Sequence, residues 1–136
     1  MTVRTDKRST CPINATLEVV GDRWSLLIVR DLLFAGATTY RDFLQSAEHI
    51  ATNVLADRLK RLEAAGIVAS RRDPDDKRSA IYRLTDKGLD LIPVVMELST
   101  WGARHEEGEP PPGVLEAWKA DRAQFIASIR KARGAS

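Results

Sequence analysis

The chain has a single cysteine, Cys11, which excludes any disulfide within it and fits a reducing compartment. Its two histidines, His49 and His105, have no partner at metal-ligand or catalytic-triad spacing, and no Gly-rich phosphate loop occurs. The carboxylates are scattered among bases as ordinary surface pairs. These absences argue against an enzyme and against a metal or other cofactor. No hydrophobic run approaches the ~20 residues of a membrane span. The opening MTVRTDKRST also lacks the apolar centre of a secretion signal, so the expected location is the cytoplasm, with no membrane partner. At 136 residues, 43% hydrophobic and 29% charged, the chain can fill one core but not two.

Charge is informative in its distribution rather than its sum, which is only +2. Residues 85–113 carry six acids against two bases, and 114–136 carry five bases against two acids. From Ile50 to Leu84 eight bases face five acids, and four of the bases, Arg71, Arg72, Lys77 and Arg78, gather in one short segment.

That segment belongs to the stretch around which the chain is organised, Thr52 to Leu84. Leu55, Leu59 and Leu62 share one helical face, while Asn53, Asp57 and Lys60 lie opposite with Ala56 beside them. Thr52 is the expected cap, and Gly66 stands where a left-handed residue would end the helix near Ala65. The period then changes to two β-type runs, residues 67–71 and 80–84, joined by the turn-forming cluster Asp73-Pro74-Asp75-Asp76. A helix followed by a basic hairpin is a winged helix. Its expected partner is double-stranded DNA: Thr52, Asn53, Ala56, Asp57 and Lys60 on a face slim enough for the major groove, and the four wing bases on phosphate or in the minor groove. The bland alternative is a solvated charged hairpin.

The flanking segments complete the expected architecture. Residues 1–10 read as a flexible arm. Pro12 suits a first helical position, which puts Cys11 at the N-cap of a short helix ended by Gly21. Asp22 caps the next helix, whose apolar residues from Trp24 to Leu33 point almost all round and so predict a central rod, closed by Gly36. Thr38 or Thr39 starts a third helix that packs through Tyr40, Phe43 and Leu44, leaving Thr38, Thr39 and Arg41 to reach phosphates, and Ile50 plugs the following turn. Thr85 caps a long apolar helix through Trp101, bent near Pro93. Residues 105–113 form an acidic, proline-rich linker, after which Leu115, Trp118, Arg122, Phe125 and Ile129 repeat every three or four residues as one seam.

The succession CPINATLEVVGDRWSLLIVRDLL, VLADRLKRLEAAGIV and YRLTDKGLDLIPVVMELSTWG strongly resembles the HxlR-type winged helix-turn-helix transcriptional regulators, relatives of the MarR type. The resemblance spans about residues 11–108 and leaves 109–136 as linker and C-terminal helix. It implies a homodimer on an inverted-repeat operator, repressing or activating neighbouring genes. It also directs attention to Cys11, because several such regulators sense oxidants, quinones or aldehydes through a cysteine at this place. A thiol at a helix N-terminus has its thiolate favoured by free N–H groups, with Arg8 or Arg23 as candidate helpers; the alternative is a cysteine that only packs.

The expected fold is therefore mainly α with a small β-hairpin wing (α+β), with dimerisation helices at both ends. The chain offers more apolar surface than one small core hides, and the surplus lies in the helix at 13–20, at Leu98 and Trp101, and in the seam of Leu115, Trp118, Phe125 and Ile129. Those residues are the expected dimer interface, with Arg122 pairing with the partner or lying over Trp118. Two further readings stand beside the regulator: a winged-helix protein-interaction module that never meets DNA, and a small-molecule or electrophile effector bound among Trp24, Trp101 and Trp118 at the interface.

Overall fold

The computed structural model describes residues 7–134, so the first six residues of the expected N-terminal arm lie outside the described residues. The element order is α1 Pro12–Val20, α2 Ser25–Arg30 continuing as a π-helix over Asp31–Ala35, α3 Tyr40–Leu44, α4 Thr52–Ala64, β1 Val68–Arg72, β2 Ala80–Leu84, α5 Asp86–Leu89, α6 Ile92–His105, α7 Val114–Ala120 and α8 Arg122–Arg133. The chain is mainly helical with one two-stranded antiparallel hairpin in the register Val68 to Leu84 through Arg72 to Ala80. This is a winged helix-turn-helix.

The core forms where the helical stripes converge. Ile28, Val29, Leu32 and Leu33 of the central rod meet Phe43, Leu55, Leu59 and Leu62, and the hairpin adds Val68 and Leu84. Asp22 stands just ahead of the rod and accepts from the backbone N–H of Trp24 and Ser25, although the N-cap is Trp24 and not Asp22 as expected. Burial pushes its carboxyl up, yet the Ser25 hydroxyl, those two amides and the Arg58 charge outweigh it and hold the group below the usual carboxylate range. Ile50 is buried in the angle before α4, and Gly66, at φ +78°, ends that helix with the left-handed turn its sequence implies.

Three further boundaries differ from expectation. Ala51, not Thr52, is the N-cap of α4, with no side-chain cap; Thr52 is the first helical residue, and its carbonyl accepts from the Tyr40 hydroxyl. The rod's last turn is π rather than α, the Asp31 carbonyl accepting from the N–H of both Gly36 and Ala37. The long helix after Thr85 is two helices rather than one bent rod: Thr85 caps α5 through the Gly88 N–H, and Pro93 falls in the first turn of α6, where its missing donor costs nothing. Gly88 is fixed by crowding, since a Cβ there would stand 2.2 Å from the Ile67 carbonyl oxygen.

The largest correction concerns the C-terminal seam. It is broken at Asp121, whose carboxylate caps α8 through the Gln124 N–H, and the resulting helix pair folds back on its own chain. Leu115, Trp118 and Phe125 are buried in the protomer's own core, and Ile129 packs against it. Leu115, Trp118 and Phe125 are therefore not surface available to a partner, and Ile129 is half-buried. Trp118 donates to Glu97 at 3.2 Å and meets Phe125 edge-on. Arg122 also stays within the chain, 3.0 Å from Glu97 and over the Trp118 ring. At the far end Arg130 clasps Asp86 and Asp90, and Arg133 donates to the Leu33 carbonyl. What stays bare lies elsewhere: Ile13 (71% exposed) and Leu17 (53%) of α1, and Leu98 (54%) and Trp101 (59%) of α6.

Candidate nucleic-acid interface

Helix α4 is held by its apolar stripe, so its other face is set by subtraction. Leu55, Leu59 and Leu62 are buried, and Thr52, Asn53, Ala56, Asp57 and Lys60 are all exposed. Asp57, the carboxylate that would repel phosphate, is neutralised by its neighbours: Arg58 Nη1 lies 2.9 Å and Arg61 Nε 3.0 Å away. Arg58 also places its buried Nε 3.2 Å from Asp22 Oδ1, a charge contact whose N–H is not aimed as a hydrogen bond. The pair ties the middle of α4 to the start of the central rod. Sequence reasoning missed Arg58, although its place on the flank of the leucine stripe was the available signal.

Helix α3 is set in front of α4 by local chemistry. Thr39 and Asp42 form a reciprocal capping box, and Asp42 also accepts from the Thr38 N–H. Those two amides hold the Asp42 carboxyl below its ordinary range. The cap uses the Thr39 hydroxyl as an acceptor; Thr38 and Arg41 are exposed. The Thr38 carbonyl accepts from the Tyr82 N–H at 2.7 Å, and Thr39 bridges Ile81, so the wing is anchored to the front of α3.

The wing's acids and bases have separate tasks. Asp73 accepts from the Asp75 N–H, and Asp76 accepts from the Arg78 N–H and the Ser79 hydroxyl, so these carboxylates fold the turn. Arg71, Arg72, Lys77 and Arg78 are exposed, the Arg78 side chain 96% so. Arg83 belongs with them. The register puts Arg83 and Arg71 on the face opposite Val68 and Leu84, a period-2 signal that the sequence reading left unused. Ser70 of β1 donates to Glu63 of α4 at 2.8 Å, and Lys87 donates to the Ala65 carbonyl at that helix's C-terminal end. Reading helix and wing are thus braced against each other.

The remaining candidates lie away from this surface. Cys11 is the exposed N-cap of α1, and the N–H groups of Asn14 and Ile13 draw its thiol below the usual value. Arg8 does not assist the thiol; it pairs with Glu18 and Asn14. Among the described residues no cluster of ligating side chains could hold a metal, and no helix is long and apolar enough to cross a membrane.

The comparisons with known proteins agree with this geometry. The model of the family described as HxlR-like helix-turn-helix matches residues 19–110. The HTH-type transcriptional regulator YodB of Bacillus subtilis is 33% identical over 92 residues, which cover 67% of this chain and 81% of YodB. The uncharacterized HTH-type transcriptional regulator BH0655 of Halalkalibacterium halodurans is 30% identical over 95 residues, 70% of this chain and 84% of that one. Among solved structures, the redox regulator HypR in its oxidized form superposes with a TM-score of 0.61 at 27% identity, over 74% of this chain and all of HypR. Reduced YodB superposes with a TM-score of 0.58 at 31% identity, over 74% of this chain and all of that one. With an exposed reading helix, a braced basic wing and a family match over two-thirds of its length, the chain belongs to the HxlR-like helix-turn-helix transcriptional regulators.

Proposed function

We propose that this protein is a sequence-specific DNA-binding regulator, not an enzyme, that acts as a homodimer on an inverted-repeat operator, with repression as its default action. The observation that carries the reading is the pairing of one exposed, slim face of α4 (Asn53, Ala56, Asp57, Lys60) with a basic wing in which Asp73 and Asp76 are engaged in its own turn. Base edges are read by the first and phosphates held by the second. Asn53 suits a bidentate contact to adenine, Lys60 a phosphate or guanine, and Thr38 and Arg41 the backbone beside them. The bare apolar residues of α1 and α6, Ile13, Leu17, Leu98 and Trp101, support the dimer. A two-fold joint there lets two reading helices enter successive major grooves about 34 Å apart. Selection of bound duplexes from a random pool tests this: an inverted repeat should emerge, and Asn53→Ala should blur one position in each half-site. Binding to no duplex, with capture of a protein instead, would favour the interaction-module reading.

Cys11 is the candidate sensor within this reading, because it is exposed and its thiolate is favoured by two backbone donors. With one cysteine in the chain, the chemistry open to it is alkylation, a mixed disulfide or a bridge to the partner's own copy. N-ethylmaleimide should modify Cys11 faster than a free thiol at pH 7 and lower operator affinity. A modified protein that binds its operator unchanged would leave Cys11 as a surface residue.

A further inference from the structure

Between the winged core and the C-terminal helices lies a cavity of about 500 Å³, within the roughly 300–1,000 Å³ range of small-molecule sites. Leu26 and Phe34 form one wall, Met96 and Leu98 the facing wall, and Val114 at the start of α7 closes one end. The family match stops at residue 110, so the closing wall is supplied by this chain's own C-terminal segment.

One group in this lining is out of keeping with the rest. Asp31, the first residue of the π-helix, has a side chain only 11% exposed and lines the cavity. Arg30 Nε and Nη2 both bond to its Oδ1, at 3.0 and 2.9 Å, while Oδ2 accepts no hydrogen bond among the described residues. Arg30 cannot serve both oxygens, because its other reach goes to Glu48, through two bonds of 2.8 Å, and to Ser46. Arg30, Asp31 and Glu48 together carry one negative charge in excess. That oxygen is not sealed from solvent, so it stays open to a donor from outside the chain. The π-helix points the same way, since a ladder that yields its regular spacing is a frequent mark of a ligand site.

We propose that this cavity is a binding site for a small organic cation, an aromatic or branched aliphatic body carrying a protonated amine that donates to Asp31 Oδ2. The apolar walls take the body and the excess negative charge selects the head. The site does not depend on whether the chain binds DNA.

Met96 gives the cavity its own reporter, because the only other methionine is Met1. The full-length protein labelled with 13C at its methionine methyls is titrated with 4-phenylbutylamine and, separately, with 4-phenylbutyrate. The amine should move the Met96 signal to saturation and bind at least about tenfold more tightly than the carboxylate, the difference expected of one charge-assisted hydrogen bond. Asp31→Asn should erase that preference, and Val114→Trp, which fills the closed end and leaves Arg30 and Asp31 in place, should abolish the shift. A Met96 signal unmoved by millimolar amine would overturn the proposal, as would equal affinity for the two probes. So would an amine shift that appears only as sedimentation shows the protein dissociating, since a second copy of the chain would then be the cavity's occupant.

Discussion

Two apolar faces of this molecule look alike in the sequence and end differently. The stripe of Leu115, Trp118 and Phe125 is sealed inside the protomer, with Trp118 only 1% exposed, whereas Leu98 and Trp101 of α6 stand in the open with Ile13 and Leu17. A three-or-four spacing states that a face needs cover; it does not state what covers it. Connection and capping decide. The proline-rich linker returns the chain across α6, where Trp118 finds Glu97, and the Asp121 cap lets α8 turn until Arg130 reaches Asp86 and Asp90. The exposed residues of α1 and α6 have no such cover among the described residues, so in the proposed dimer a second copy supplies it.

This contrast is open to direct attack. Trp118→Ala should cost about 3–5 kcal/mol of folding stability in a denaturant melt, the usual result of emptying a buried tryptophan site. Trp101→Ala should leave the monomer's fold intact and instead weaken self-association by more than about tenfold in sedimentation, as removal of an interface anchor does. If the two variants exchange phenotypes, the assignment of inner and outer faces is wrong.

A second pair of regions, α4 and the wing, separates specificity from affinity in the proposed complex. Asn53→Ala should reduce discrimination at one base position by about 1–3 kcal/mol and leave non-specific binding nearly unchanged, measured by competition between operator and scrambled duplex. Equal losses on both duplexes would remove Asn53 from base reading.

The smallest effect belongs to the Arg30 cluster. Hydrogen bonding to Arg30 holds the Glu48 carboxyl at about 2, against an ordinary value of 4.5. Its folded-state value is depressed, so its stabilisation is present above about pH 4.5 and is lost as pH falls toward 2. Glu48 is partly solvated, so screening limits the loss to no more than about 1 kcal/mol. Wild type should lose that increment between pH 5 and 2 in thermal melts, and Glu48→Gln should not; parallel pH profiles would contradict the pairing.

Much of the fold around the candidate interface was legible in the sequence because the rules involved are local. The leucine stripe fixed which face of α4 is free, the Asp-Pro-Asp-Asp cluster fixed the hairpin, and Thr39 and Thr85 are the caps their sequence implies. The misreadings arose where two local rules competed or where the partner was distant in sequence. Pro93 satisfies a helix start as well as it bends an interior, and the break at Leu91 made the start the outcome. Asp121 interrupts a seam whose apolar spacing runs straight through it. The π-helix leaves no periodic trace, and the unshared oxygen of Asp31 is visible only once Arg30 has been drawn away by Glu48.

The central claim, that helix and wing grip duplex DNA together, is tested most directly by operator affinity measured across salt concentrations for wild type and for the Lys77→Ala/Arg78→Ala double variant. The account predicts a steep fall in wild-type affinity with salt, and a slope of log affinity against log salt that is shallower by roughly one to two in the variant. An identical slope in both proteins, or wild-type binding that ignores salt, would contradict it.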